Sequence, residues 1–324
     1  MQKIILAVFV FFSFNFVSTA QTDTGDAYNI KLNKVSRNVY MLQGKGGNMG
    51  LSLGHDGIFM IDDQFEEGIP DILKKIRKLN KKPIKYLVNT HHHPDHIGGN
   101  ILMANEGVTI FSHENARKRI DDFRKNSSDK IDSKILPIIT ITEDLTFYFN
   151  GEKIMIFHVH NAHTDGDIMV YFTNSNVIHT GDAFVNGLYP FIDHESGGSL
   201  EGYYSALEKI LMISDEYTKI IPGHGELATT QDVKKSLDMI TLIWKRVNHH
   251  FINKKTVEEI IELNDFTLDF DEQGFGNGFI TTEKFIRIVY KDLEIENGPI
   301  DNRTMEKRLQ DKVKEQKAKK QGKN

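Results

Sequence analysis

Short apolar runs, bounded by glycine, asparagine or proline, alternate along this chain with stretches in which apolar residues return every third or fourth position. The first pattern predicts strands and the second helices. Asn38 to Gln43 and Leu51 to Leu53 are a first pair of predicted strands, joined by the glycine-rich tip Gly44-Lys45-Gly46-Gly47-Asn48. Ile58 to Ile61 predicts a further strand, which runs into Asp62-Asp63. Ile69, Ile72, Leu73, Ile76 and Leu79 then mark one helix face, and Ile84 to Val88 predicts a buried strand that ends just before a histidine-rich loop.

The second half repeats this plan. Phe147 to Phe149 and Ile154 to Phe157 flank Asn150-Gly151, a strong hairpin signal. Ile168 to Phe172 and Val177 to His179 predict strands, the latter ending at Gly181-Asp182. Leu200, Tyr203, Tyr204, Leu207, Ile210 and Leu211 predict a helix with Ser199 as its N-cap. Ile220-Ile221 is a short strand leading into Pro222-Gly223-His224-Gly225. From Thr230 the pattern is helical, interrupted from Asp265 to Gly278. Two strand-rich halves with outer helices predict an α/β fold, with two sheets face to face between helical layers.

The ends of the chain read differently. Lys3 precedes an unbroken apolar run, Ile4 to Phe12, and Ser18-Thr19-Ala20 closes the segment. That is the layout of an export signal cleaved after Ala20, and the run is too short to span a bilayer, which needs about 20 residues. The expected location is therefore the periplasm or the cell exterior. There is no cysteine, so neither disulfides nor thiolate metal ligands are available. From Glu306 to the end, eight Lys or Arg face three acids, which predicts a solvated basic tail. The whole chain still carries a net charge of −5, so its body is acidic and poorly suited to a phosphate backbone. The expected organisation is a signal over 1–20, a catalytic domain over 21–240, a helical extension over 241–305 packed on it, and the tail over 306–324.

The chemistry concentrates in Thr90-His91-His92-His93-Pro94-Asp95-His96. His91 and His93, two apart on a turning loop, can present both imidazoles to one ion. Asp95 and His96 face a second ion a few ångströms away. Farther along stand His163, Asp182 and His224, each just after a predicted strand. Imidazoles with carboxylates suit zinc, and the same donors accept iron or manganese. His92 is expected to point away from the ions. His113, His158, His160 and His179 are expected to pack or to end strands. His55, His194, His249 and His250 are expected on the surface. Phe184, Tyr189 and Phe191 follow Asp182 and are candidates for a pocket wall or for the core.

In order, the motifs are His91 to His96, then Ala162-His163-Thr164-Asp165-Gly166-Asp167, then His179-Thr180-Gly181-Asp182, then Pro222-Gly223-His224-Gly225. Together they resemble the metallo-β-lactamase-fold superfamily over about Val39 to Gly225. The resemblance implies an αββα sandwich with the site along one edge of two mixed sheets. It implies that His91, His93 and His163 hold one zinc ion, that Asp95, His96 and His224 hold a second, and that Asp182 bridges them. Asp62 resembles the early aspartate that braces the metal loop, with Asp63 as its rival. A hydroxide shared by the two ions would attack a carbonyl, with Asp95 as the proton-handling residue.

Fold does not choose among the superfamily's activities. The di-iron oxygen reducers usually carry Glu where this chain has His93, and nucleases fit poorly with export and acidity. One β-lactamase subclass has Cys where this chain has Asp182. Export favours a small-molecule substrate of the β-lactam or lactone type. Thioester or phosphodiester hydrolysis, or metal binding without turnover, are the alternatives.

Overall fold

The computed structural model describes residues 28–263 and 265–297. The expected export signal (1–20) and the expected basic tail (306–324) lie outside them. Twelve strands are seen among the described residues. Sheet one holds β1 (Lys31–Ser36), β2 (Val39–Gln43), β3 (Met49–Leu53), β4 (Ile58–Ile61), β5 (Ile84–Val88), β6 (Thr109–His113) and β7 (Ile139–Ile141), side by side in chain order. Its first four strands run antiparallel to one another, and β4 to β7 run parallel. Sheet two has the order β12 (Lys219–Ile221), β11 (Val177–His179), β10 (Ile168–Phe172), β9 (Glu152–His158), β8 (Asp144–Phe149), with only β11 and β12 parallel. Both sheets are thus mixed in sense.

Alternation along the strands decides which residues meet. Val39, Met41, Phe59 and Ile61 of the first sheet pack against Ile154, Ile156, Val170, Phe172 and Ile221 of the second. The alternate positions Leu42, Met49, Leu51, Ile58 and Met60 face outward onto Ile69, Ile72 and Ile76 of α1 (Ile69–Leu79). On the far side, Phe157, Met169 and Ile220 meet Tyr203, Leu207 and Ile210 of helix Leu200–Ile213. The layers are therefore helix, sheet, sheet, helix. At the predicted hairpin, Asn150 and Gly151 both take positive φ (52° and 74°), as its two-residue turn requires.

The remaining helices, in chain order after α1, are α2 (Pro94–Ile97), α3 (Asn100–Asn105), α4 (Glu114–Asn126), α5 (Leu200–Ile213), α6 (Thr230–Ile252), α7 (Val257–Leu263), α8 (Leu268–Asp271) and α9 (Thr282–Asn297). Ser199 caps α5, accepting from Gly202 N at 3.0 Å. The division expected after residue 240 falls inside α6. The helices beyond it share one apolar core with α5 and the second sheet. None of the described helices is long and apolar enough to cross a membrane.

One expected surface residue is not on the surface. His194 packs against α9, its Nε2 3.1 Å from Asp292 Oδ1, and the same oxygen accepts from Leu200 N at 2.9 Å. The buried Asp292 carboxylate requires partners, and an imidazole and a helix N-terminus supply them.

Candidate metal centre

The ends of β4, β5, β9, β11 and β12 gather at one edge of the sandwich, and the candidate ligands follow them. Asp62, directly after β4, is fully buried and has a left-handed backbone (φ 57°), costly for a residue other than glycine. That turn aims its carboxylate across to the histidine loop. Oδ1 accepts from Thr90 N at 2.7 Å, and Oδ2 accepts from Thr90 Oγ1 and His96 Nδ1, each at 2.8 Å. Because the carboxylate accepts, His96 carries its proton on Nδ1 and turns Nε2 away from Asp62. Asp63 has a different task, accepting from Gly99 N at 3.0 Å where α3 begins.

His91 follows β5, and the single turn of α2 then sets Asp95 and His96 beside it. His163 donates from Nδ1 to the Phe191 carbonyl at 2.8 Å, which leaves its Nε2 2.8 Å from His93 Nδ1. Asp182 sits in a tight turn after β11. Its Oδ1 lies 3.2 Å from His96 Nε2, and its Oδ2 lies 3.5 Å from His224 Nε2 and 3.8 Å from His163 Nε2. Asp95 Oδ2 lies 3.2 Å from His224 Nε2 and 3.5 Å from His96 Nε2. The donor atoms form groups whose members lie within 4.8 Å of one another: His91, His93 and His163; His91, His96 and Asp182; Asp95, His96 and His224. All seven sequence-predicted residues are thus in one cluster, with Asp62 behind it.

Three atoms in this cluster are buried without a hydrogen-bond partner: His91 Nε2, His96 Nε2 and Asp182 Oδ1. A buried polar atom with no partner costs about 1–3 kcal/mol. Here each belongs to a residue in those donor groups, so the donor set fits divalent metal. Two glycines allow the approach. A Cβ on Gly47 would lie 2.2 Å from the His96 ring, and one on Gly223 would lie 2.0 Å from Asp182 Oδ1.

The electrostatics are those of a cation cage. Burial, then the charges of His96 and His163, drives the His91 pKa well below its usual value. Burial likewise lowers His163, to about 4. At His96 burial also opposes charge, but Asp182, Asp95 and Asp62 outweigh it and hold the imidazolium well above its usual range. At Asp182 burial is outweighed by His224 and His96, and the carboxyl is held well below normal. Neutral imidazoles and an ionised carboxylate are the forms that bind metal. His91, His163 and Asp182 are already in that form. His96 and His224, the latter raised against burial to about 9 beside Asp182 and Asp95, give up a proton when an ion binds.

Sequence reading missed Asp193. Its Oδ2 lies 3.0 Å from His93 Nε2, so the outer nitrogen of His93 carries the proton and Nδ1 faces the cage. Burial would raise the Asp193 carboxyl, but bonds from His93 and Ser196 hold it well below normal. Asp193→Asn is expected to weaken zinc binding about 10-fold or more, read by competition with a chelating dye. Unchanged affinity would remove Asp193 from this role.

The other candidates are also placed. His92 turns its Nε2 to Ser196 Oγ at 3.3 Å, with its ring 6.4 Å from that of His91. His179 is buried, with Nε2 3.0 Å from the Asn48 carbonyl. His113 and His158 stack at 3.9 Å, and His160 lies beside them, 3.8 Å from Glu143. Phe184 is in the core, whereas Tyr189 and Phe191 line the cavity above the cluster.

Asp167 is fully buried, and that burial raises its pKa to about 7 despite bonds from Thr164 Oγ1 (2.5 Å) and Thr164 N (2.9 Å). A raised carboxyl favours the protonated fold. Its contribution is complete below the unfolded value near 4 and is lost as pH rises through about 7. Asp167→Asn is therefore expected to melt higher than wild type at pH 8 and to lose that advantage at pH 4, in metal-free thermal scans. An equal difference at both pH values contradicts this.

Residues 34–224 match the family model described as the metallo-beta-lactamase superfamily. The chain belongs to that superfamily. It is a hydrolase of this family with a His/Asp centre able to hold metal. It is 28% identical over 204 residues to a hydroxyacylglutathione hydrolase of Pelagibacter ubique (strain HTCC1062), covering 60% of this chain and 77% of that protein. It is 18% identical over 185 residues to a type 2 metallo-beta-lactamase of Bacillus cereus, covering 57% and 69%. In fold it resembles a metallo-beta-lactamase from Pontibacter korlensis (TM-score 0.55, 19% identity, 65% of this chain and 99% of that one). A sec-alkylsulfatase from Pseudomonas sp. superposes on more of it (TM-score 0.65, 17% identity, 84% of this chain and 51% of that one).

Proposed function

We propose that this superfamily hydrolase is a dinuclear, zinc-dependent enzyme that cleaves an ester or amide, including cyclic ones of the lactone or β-lactam type. The observation that carries this reading is the convergence of seven donor residues, three of whose buried atoms have no hydrogen-bond partner. His91, His93 and His163 would hold one ion, Asp95, His96 and His224 the other, and Asp182 both. Such ions would polarise a carbonyl oxygen and acidify a water, whose pKa falls from ~15.7 to about 7 even on a single zinc.

The chain's own residues do the rest. Asp62 and Asp193 hold the outer N–H of His96 and His93, so that the nitrogen facing the cage is the one left to bind once each ring is neutral. Asp95, on the cavity floor, holds the attacking water in line and passes its proton to the leaving group. The hydroxyacylglutathione hydrolases among the relatives favour a second reading for the same site, thioester hydrolysis. We also propose export, on the signal-like first twenty residues.

The test is zinc-loaded protein against chromogenic cephalosporins, lactones, aryl esters, thioesters and phosphodiesters. Turnover of an ester or amide that stops on chelation is expected. Two bound ions with no turnover across the panel would instead favour a non-catalytic metal-binding protein.

A further inference from the structure

The cavity above the donor cluster has a volume of about 560 Å³, within the range of small-molecule sites. Its floor is His93, Asp95, Asp182 and His224. One wall does not come from the sandwich. Phe279 and Ile280, just before α9, stand over the site and lie outside the matched residues 34–224. Phe279 is 77% exposed, yet it is held in place. Its ring meets that of Phe191 edge-on at 6.3 Å, and Phe191 in turn stacks on His93 at 6.0 Å. The Lys284 ammonium lies 4.5 Å from the centre of the Phe279 ring, and donates to the Phe279 carbonyl at 3.0 Å.

The segment carrying this wall is tied to the loop that follows Asp182. Tyr189 N donates to the Phe275 carbonyl at 3.1 Å, and Tyr189 OH donates to Asp271 at 2.8 Å. The Tyr189 ring stacks on Phe285 of α9 at 4.7 Å. These contacts hold Phe279 as a fixed aromatic face rather than a loose side chain. Phe65 and Val185 extend the apolar lining, and Lys45 is the one lysine or arginine among the residues that line the cavity.

We propose that this segment makes the enzyme selective for esters and amides with a bulky apolar acyl group, which lies against the joint surface of Phe279 and Phe191. The proposal rests on the hydrolase reading above. In the reaction, water forms the new bond to the acyl carbon, the bond to the leaving oxygen or nitrogen breaks, and that atom takes the proton. A glutathione thioester fits this wall poorly. It brings two carboxylates, an ammonium and several amides, whereas the wall away from the donor cluster is aromatic and aliphatic apart from Lys45 and the Lys284 ammonium on Phe279.

The experiment uses zinc-loaded full-length chain with p-nitrophenyl octanoate, p-nitrophenyl acetate and an S-acylglutathione. Octanoate is expected to exceed acetate in kcat/KM by about 100-fold and the thioester by more. Phe279→Ala is expected to shrink the octanoate-to-acetate ratio about 10-fold through KM, with bound zinc unchanged. Equal use of the two esters, preference for the thioester, or a ratio indifferent to Phe279 overturns the proposal. Calorimetry with octanoate, the acyl product, separates the two readings. Were none of the three turned over, the proposed ester hydrolysis would fail. Octanoate binding that Phe279→Ala weakens would then still support the wall, and no such binding would overturn it as well.

Discussion

Asp182→Ala is expected to abolish turnover, lowering kcat/KM by ~10³-fold or more, about 4 kcal/mol of transition-state stabilisation. Asp182 is the residue that touches both halves of the cluster, through His96 on one oxygen and His163 and His224 on the other. Its removal takes away a donor and a negative charge that would balance the two proposed cations. The fold is expected to survive, because Asp182 lies in a turn at the sheet edge and its carboxylate pairs only with the site imidazoles, not with the sheets that carry the core. Circular dichroism with zinc quantification checks both halves of the expectation. An active Asp182→Ala enzyme contradicts the assignment.

Asp62→Ala is expected to damage both fold and site. Asp62 is fully buried and receives three hydrogen bonds, two from Thr90 and one from His96. Without it, Thr90 N–H is orphaned and the His96 ring loses its orientation. Breaking a buried network of this kind costs about 3–5 kcal/mol. For a domain of this size that lowers the melting temperature by roughly 10 °C. Zinc affinity is expected to fall 10-fold or more as well, because the partner that fixes a ligand's tautomer is lost. Asp62→Asn keeps the shape and is expected to recover part of the stability but less of the affinity. A wild-type melting curve for Asp62→Ala would refute this account of the turn.

The cluster was legible because its donors sit in short motifs at strand ends, where sequence spacing and spatial placement coincide. His91 to His96 are neighbours in the chain, and His163, Asp182 and His224 each follow an apolar run that reads as a strand. The alternation in β2 and β4 likewise shows directly in the two faces they bury. Asp193 was not legible as a partner of His93, since it is 100 positions away and the contact depends on how the loop after Asp182 folds back. His194 has the same history, its partner Asp292 lying 98 positions on. Helix α4 was missed because it buries only Ala116 and Ile120, too few for a readable period. Edge strand β1 buries none of its residues fully, so its sequence carries no apolar stripe. The Phe279 wall was hidden because a Gly-rich, Phe-rich stretch predicts an interruption, not the surface it faces.

The most direct measurement is anomalous diffraction at the zinc edge from crystals of the zinc-loaded chain. Two scatterers are expected, one among His91, His93 and His163 and one among Asp95, His96 and His224, with Asp182 reaching both. Zinc that binds elsewhere, or a single scatterer that leaves Asp182 and His224 without a metal, would contradict the dinuclear centre on which the proposed hydrolysis depends.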